Sequence, residues 1–208
     1  MKDIQIRALS GGLYAGVLMA ATFSSPYVIT GVVLLFSGLA LWEFQRLVHF
    51  KSFVPILTLV LLSVYATLGF VSALTEGILV HIALAINLIL IGMLFISKKI
   101  KYSYPVQFIL SVGYIVLSSY FITRTAFKGL NYEPWILALL YMSIWANNSF
   151  AYLFGSKFGK HKLLPAISPK KSWEGFFGGM LATIIITYFI EAVSYTHLTL
   201  PTRSYVLI

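Results

Sequence analysis

Ile78-Leu79-Val80-His81-Ile82-Ala83-Leu84-Ala85-Ile86-Asn87-Leu88-Ile89-Leu90-Ile91-Gly92-Met93-Leu94-Phe95-Ile96 contains no formally charged residue and then runs into Ser97-Lys98-Lys99-Ile100-Lys101. A helix needs roughly 20 mostly apolar residues to cross the hydrocarbon core, and a lysine cluster at one end marks the end held in water. The stretch therefore reads as a membrane span. Working outward, six further runs of the same kind are separated by charge or by Pro and Gly: Ala8 to Phe23, Tyr27 to Leu47, Phe53 to Leu74, Tyr104 to Ile122, Trp135 to Phe154 and Trp173 to about Ile190. Ser24-Ser25-Pro26 is the turn between the first two. The sequence thus predicts an all-α, polytopic membrane protein with about seven transmembrane helices. Composition agrees, since 59% of the 208 residues are hydrophobic and 10% charged, against about 25% charged in a soluble domain.

Cysteine is absent, so neither a disulfide framework nor a thiolate metal site is available. The net charge of +9 in so apolar a chain points to basic loops at an anionic membrane surface or around phosphates, and away from nucleic acid. Loop charge also orients the chain. With a cytoplasmic N-terminus, Lys2, Arg7, Arg46, Lys51, Lys98, Lys99, Lys101, Lys157, Lys160, Lys162, Lys170 and Lys171 fall on the inner side, and only Arg124 and Lys128 on the outer. One helix more or fewer would destroy this bias, so the bias supports both the orientation and the helix count. The first run lacks a small-residue cleavage pattern followed by a polar mature chain, so it is expected to remain a helix.

Two polar features interrupt the apolar background. Inside the sixth span, Trp145-Ala146-Asn147-Asn148-Ser149-Phe150-Ala151-Tyr152 places Trp145, Asn148 and Tyr152 on one helical face that must meet protein or water. Hydrogen bonding between helices by the two asparagines is the simpler use of that face. After it comes the longest polar stretch of the chain, Gly155-Ser156-Lys157-Phe158-Gly159-Lys160-His161-Lys162-Leu163-Leu164-Pro165-Ala166-Ile167-Ser168-Pro169-Lys170-Lys171-Ser172-Trp173-Glu174-Gly175. Ser168-Pro169 reads as an N-cap followed by the first helical residue, which would aim free backbone N–H groups at the loop. With Lys170, Lys171 and Lys162 converging there, a polyphosphate would be held by charge and backbone donors together. The competing reading is that these lysines only enforce orientation and touch lipid headgroups. His161 reads as a solvated loop residue. Glu174 reads first as a carboxylate at the positive end of a helix, or as a group that orients a lysine or helps hold a cation. Gly155/Gly159 and Gly175/Gly179 have the spacing of small residues at a close helix contact.

The run Ala151-Tyr152, Gly155, Phe158-Gly159-Lys160-His161-Lys162-Leu163, Ile167-Ser168-Pro169-Lys170-Lys171-Ser172-Trp173-Glu174-Gly175 and Gly178-Gly179 resembles the central part of the phosphatidate cytidylyltransferase family, as does Glu43-Phe44 before Arg46. The resemblance covers residues 1 to about 192. It implies magnesium-dependent transfer of CMP from CTP to phosphatidate, giving CDP-diacylglycerol and pyrophosphate in phospholipid synthesis, at a site facing the cytoplasm of a bacterial inner membrane. It also implies Lys170, Lys171 and Glu174 as catalytic positions, with Glu174 organising the loop. Ser168, Ser172, Lys160, Lys162 and Tyr152 would bind substrate, and Asn148 would occupy a metal position. CTP, phosphatidate and membrane lipids are the implied partners, and a homodimer is the assembly allowed for.

The sequence departs from the family pattern twice. The family usually has aspartate where Asn148 stands, and an amide brings a metal no negative charge. The family's acidic closing signature, Asp-Arg-x-Asp, does not occur, and the chain ends instead in residues 193–208, of which Val193 to Thr202 resembles a translated sequencing-library adapter. Residues 1–192 are therefore expected to be one membrane domain, the N-terminal part of an enzyme inactive alone, and 193–208 a non-native tail without sustained helical pattern. From other classes, a small transporter or channel lined by Asn147, Asn148 and Tyr152 is the main alternative, with a CTP-dependent lipid kinase behind it.

Overall fold

The computed structural model describes residues 2–68, 71–93, 103–165 and 167–199. Among these the chain makes seven apolar helical passes: α1 (Lys2–Ser24), α2 (Pro26–Leu47), α3 (Val54–Leu68), α4 (Ala73–Met93), a composite rod, α7 (Pro134–Phe158) and α8 (Trp173–Thr199). The rod is α5 (Tyr104–Leu110), a π-helical turn (Ser111–Val116) and α6 (Leu117–Thr125) in one line of chain. Five passes are long and apolar enough to cross a membrane, and Leu9–Ser24 and Val54–Leu68 are shorter apolar helices. The protein is an all-α polytopic membrane protein. Two small antiparallel hairpins, β1 (Phe127–Lys128) with β2 (Asn131–Tyr132) and β3 (Lys162–Leu164) with β4 (Ser168–Ser172), were not evident from hydropathy. The chain forms two compact units, Met1–Leu137 and Ala138–Ile208.

In the first unit the helix starts follow local capping. Ser25 is extended, its Oγ accepts from the Val28 N–H at 3.2 Å, and Pro26 opens α2, as the turn signal required. α4 begins at Ala73, five residues before the expected Ile78, because Ser72 caps it: its Oγ accepts from the Thr75 N–H at 3.1 Å. α3 is described as far as Leu68; the next two residues of the run expected to reach Leu74, Gly69 and Phe70, lie outside the described residues. The last residues expected of the fourth span, Leu94 to Ile96, and Lys98, Lys99 and Lys101 lie outside the described residues.

Leu41 of α2, Leu59 of α3 and Val116 of the π turn form the buried centre, with Leu34, Ile56, Leu62, Val112 and Ile115 packed around it. Several polar side chains in the passes find partners internally, as a lipid environment favours, although the buried hydroxyls of Ser63, Tyr120 and Thr123 do not. Thr30 and Thr67 share a hydrogen bond of 2.8 Å, and Ser119 donates to Ser37 at 2.7 Å. Contacts between helix ends set the up-and-down order. At one end, Arg124 pairs with Glu76 and donates to Gly129 O at 3.0 Å, while the Tyr132 hydroxyl donates to Thr22 O. At the other, Gln107 donates to Val48 O at 2.8 Å and Phe50 packs edge-on against Tyr104. Alternation of this kind is what the loop-charge count assumes.

In the second unit, glycines let α7 and α8 approach closely. A Cβ on Gly175 would lie 2.7 Å from Ala151 O and 3.0 Å from Gly155 Cα, and one on Gly179 would lie 2.8 Å from both Ala151 Cβ and Asn147 O. The spaced glycines are packing positions, as read from their spacing. Ser143 and Thr187 add a hydroxyl pair at 3.1 Å between the same helices. α8 continues through Val193–Thr199, where no sustained helix was expected. Extending an existing helix costs little compared with nucleating one, so Thr and His in that stretch do not stop it.

Candidate functional site

Residues 159–172, between α7 and α8, carry most of the predicted site. β3 and β4 pair Lys162 with Ser172 and Leu164 with Ser168, so β4 advances four residues while β3 advances two. The surplus makes a bulge at Pro169-Lys170-Lys171, opposite Leu163. Pro169 has no N–H to give to a ladder, which suits it to that place. A regular strand would turn one of two consecutive lysines toward the protein. The bulge instead leaves Pro169, Lys170 and Lys171 all exposed, between half-buried Ser168 and buried Ser172.

Ser168 is not the cap of α8. Its segment is held in the β-pair, and the helix begins at Trp173. Ser172 is the cap: its Oγ accepts from the Gly175 N–H at 3.2 Å, and the Trp173 N–H donates to His161 O at 2.9 Å. Ser172 is itself paired with Lys162 in the hairpin, so the first residue free to turn helical is Trp173. These helix-start donors are consequently used within the loop and do not point at a ligand. Ser172, predicted to bind substrate, is 5% exposed, with its oxygen engaged in the cap.

Glu174, on the first turn of α8, faces back across the loop. Its two carboxylate oxygens accept from the His161 backbone N–H at 3.1 and 3.2 Å, and His161 Nδ1 lies 2.6 Å from Oε1. His161 is thus fixed through its N–H by Glu174 and through its C=O by Trp173. Its ring is as solvated as the sequence suggested, at 79% exposed, yet it has a charged partner that the sequence reading missed. No local signal links the two: they are thirteen positions apart and meet only because the hairpin closes.

Lys160, Lys162, Lys170 and Lys171 are all exposed, and among the described residues none of them pairs with a carboxylate. The hairpin is therefore an unneutralised cationic projection on a fixed base, suited to receiving an anion. Asn148 and Tyr152 stand apart from it. Both are exposed on α7, and Asn148 lies ten residues before the end of the helix at Phe158, about 15 Å of helical rise. Trp145 on the same stretch stacks on Tyr141. Among the described residues no group of three His, Asp or Glu side chains could hold a metal ion. Glu174 is bound to His161, and Asn148 is neutral, so the residues described do not fit magnesium.

The sequence model of the cytidylyltransferase family matches residues 5–207 of this chain. The chain belongs to the cytidylyltransferase family. Among curated proteins it is similar to a phosphatidate cytidylyltransferase of Staphylococcus saprophyticus, 29% identical over 74% of this chain and 64% of that protein. It is also similar to those of Staphylococcus epidermidis, 34% identical over 44% of this chain and 34% of the relative, and Staphylococcus aureus, 37% identical over 40% and 32%. The matched region thus spans less than two thirds of each of these relatives. No solved structure matches the chain. In this cytidylyltransferase family member, the bulged lysines and the His161–Glu174 contact lie together on the α7–α8 hairpin, and Asn148 and Tyr152 lie farther back along α7.

Proposed function

We propose that this chain is the nucleotide-gripping part of a phosphatidate cytidylyltransferase, in which the α7–α8 hairpin holds the phosphates of CTP while phosphatidate arrives from the bilayer. The observation that carries the proposal is the bulge at Pro169-Lys170-Lys171, which exposes adjacent lysines with no carboxylate paired to them among the described residues. In the reaction an oxygen of the lipid phosphate attacks the α-phosphorus of CTP. The bond from that phosphorus to the bridging oxygen of the β-phosphate breaks, and pyrophosphate leaves with the electron pair. Negative charge grows on the departing group, and fixed ammonium groups stabilise it more than they stabilise the ground state. Lys170 and Lys171 take that role, with Lys160 and Lys162 steering the anion in and the Ser168 hydroxyl available to a phosphate oxygen. The magnesium implied by family resemblance would need carboxylates beyond those described, so no step is assigned to it.

CTP is cytosolic, and the loop-charge bias puts this hairpin on the cytoplasmic side of what we take to be a bacterial inner membrane. The test is protection of the hairpin from protease by CTP in membranes carrying the chain. Protection is expected for the native sequence and should fall at least tenfold in apparent affinity in the Lys170→Ala/Lys171→Ala double variant, which removes two charge-assisted hydrogen bonds. Equal protection by any sodium salt, or indifference to CTP, refutes the reading and favours a transport role.

A further inference from the structure

The Glu174 carboxylate sits on the same hairpin base as four exposed lysines. An ionised carboxylate accepts hydrogen bonds only, and a free lysine is its natural partner. Here it is instead occupied by His161, through both the backbone N–H and Nδ1. From this geometry we infer that His161 is a positioning residue whose task is to keep Glu174 off the lysines, so that their charge stays available to phosphate. The inference rests on the nucleotide reading of the hairpin and assigns within it a role to a residue that touches no phosphate itself.

The arrangement has two consequences. A carboxylate released from His161 remains tethered to the first turn of α8, three residues after Lys171 and four after Lys170. It then competes with an incoming anion as an intramolecular rival, present at high effective concentration. The His161–Glu174 contact is itself largely solvent-facing, with side chains 79% and 27% exposed, so it adds little to folding stability. Its value lies in where it leaves the negative charge.

The experiment measures apparent affinity for CTP, and separately for pyrophosphate, with the full chain in lipid bilayer discs, read by protease protection of the hairpin. His161→Ala removes the Nδ1 contact and leaves the backbone N–H on Glu174; it should weaken binding of both anions by about five- to tenfold, the scale of one charge-assisted hydrogen bond given up to a competing carboxylate. Adding Glu174→Gln to His161→Ala should restore most of the affinity, because the amide no longer competes. A merely structural contact predicts the opposite, a double variant no better than His161→Ala, and that result overturns the inference. Protection by pyrophosphate without preference for CTP, with the same rescue, would support the role of His161 and sink the nucleotide reading. Failure of both anions to bind the native chain would sink both.

Discussion

Replacing Gly179 by alanine tests the packing on which the hairpin stands. The new methyl carbon would lie 2.8 Å from Ala151 Cβ, 2.8 Å from Asn147 O and 3.0 Å from Ala151 N. Comfortable carbon contacts lie at about 3.5–4.0 Å, so α8 must retreat from α7 by roughly half an ångström to one ångström. Two of the three obstructing atoms belong to the α7 backbone, which cannot swing aside as a side chain can. Overpacking of this kind costs about 1–3 kcal/mol, and the better helix propensity of alanine returns up to about 1 kcal/mol. A net loss of about 1–2 kcal/mol should lower the melting temperature by about 2–8 °C in a chain of this size. The assay is tryptophan fluorescence during heating in detergent, with Gly31→Ala as control. Gly31 gains the same propensity, and a Cβ there meets nothing within 4 Å. If Gly179→Ala melts no lower than Gly31→Ala, the close approach of α7 and α8 is wrong, and with it the support of the loop.

Two further outcomes are expected. Arg124→Gln leaves the Glu76 carboxylate without its partner in a setting where the two side chains are 11% and 33% exposed; a loss of about 2–3 kcal/mol is expected, and Arg124→Gln/Glu76→Gln should recover most of it in the same melting assay. Because the chain has no cysteine, Lys170→Cys and Lys128→Cys each create a single reactive thiol, and a membrane-impermeant maleimide should label the first only from the cytosolic face and the second only from the opposite face. Labelling of Lys170→Cys from outside would reverse the topology and remove the hairpin from CTP.

Much of this was legible in one dimension. In a bilayer the backbone must satisfy itself, so a long apolar run has almost no alternative to a helix, and loop charge records which ends stay in water. Ile78 to Met93, Ser25-Pro26 and the spaced glycines were readable for that reason. Local capping shifted the boundaries: Ser72 drew α4 back to Ala73, and Ser172 rather than Ser168 capped α8. Both serines were visible in the sequence, but the choice between two candidate caps depended on whether Ser168–Ser172 found a strand partner.

The lysine-rich string, the membrane class and the family were thus fixed by residue order, because each depends on composition or on near neighbours along the chain. The bulge that exposes Lys170 and Lys171 together, and the meeting of His161 with Glu174, depend on a hairpin closing over residues far apart in sequence. Such contacts are settled by which backbone groups remain unpaired once the helices have packed, and only the folded chain determines that.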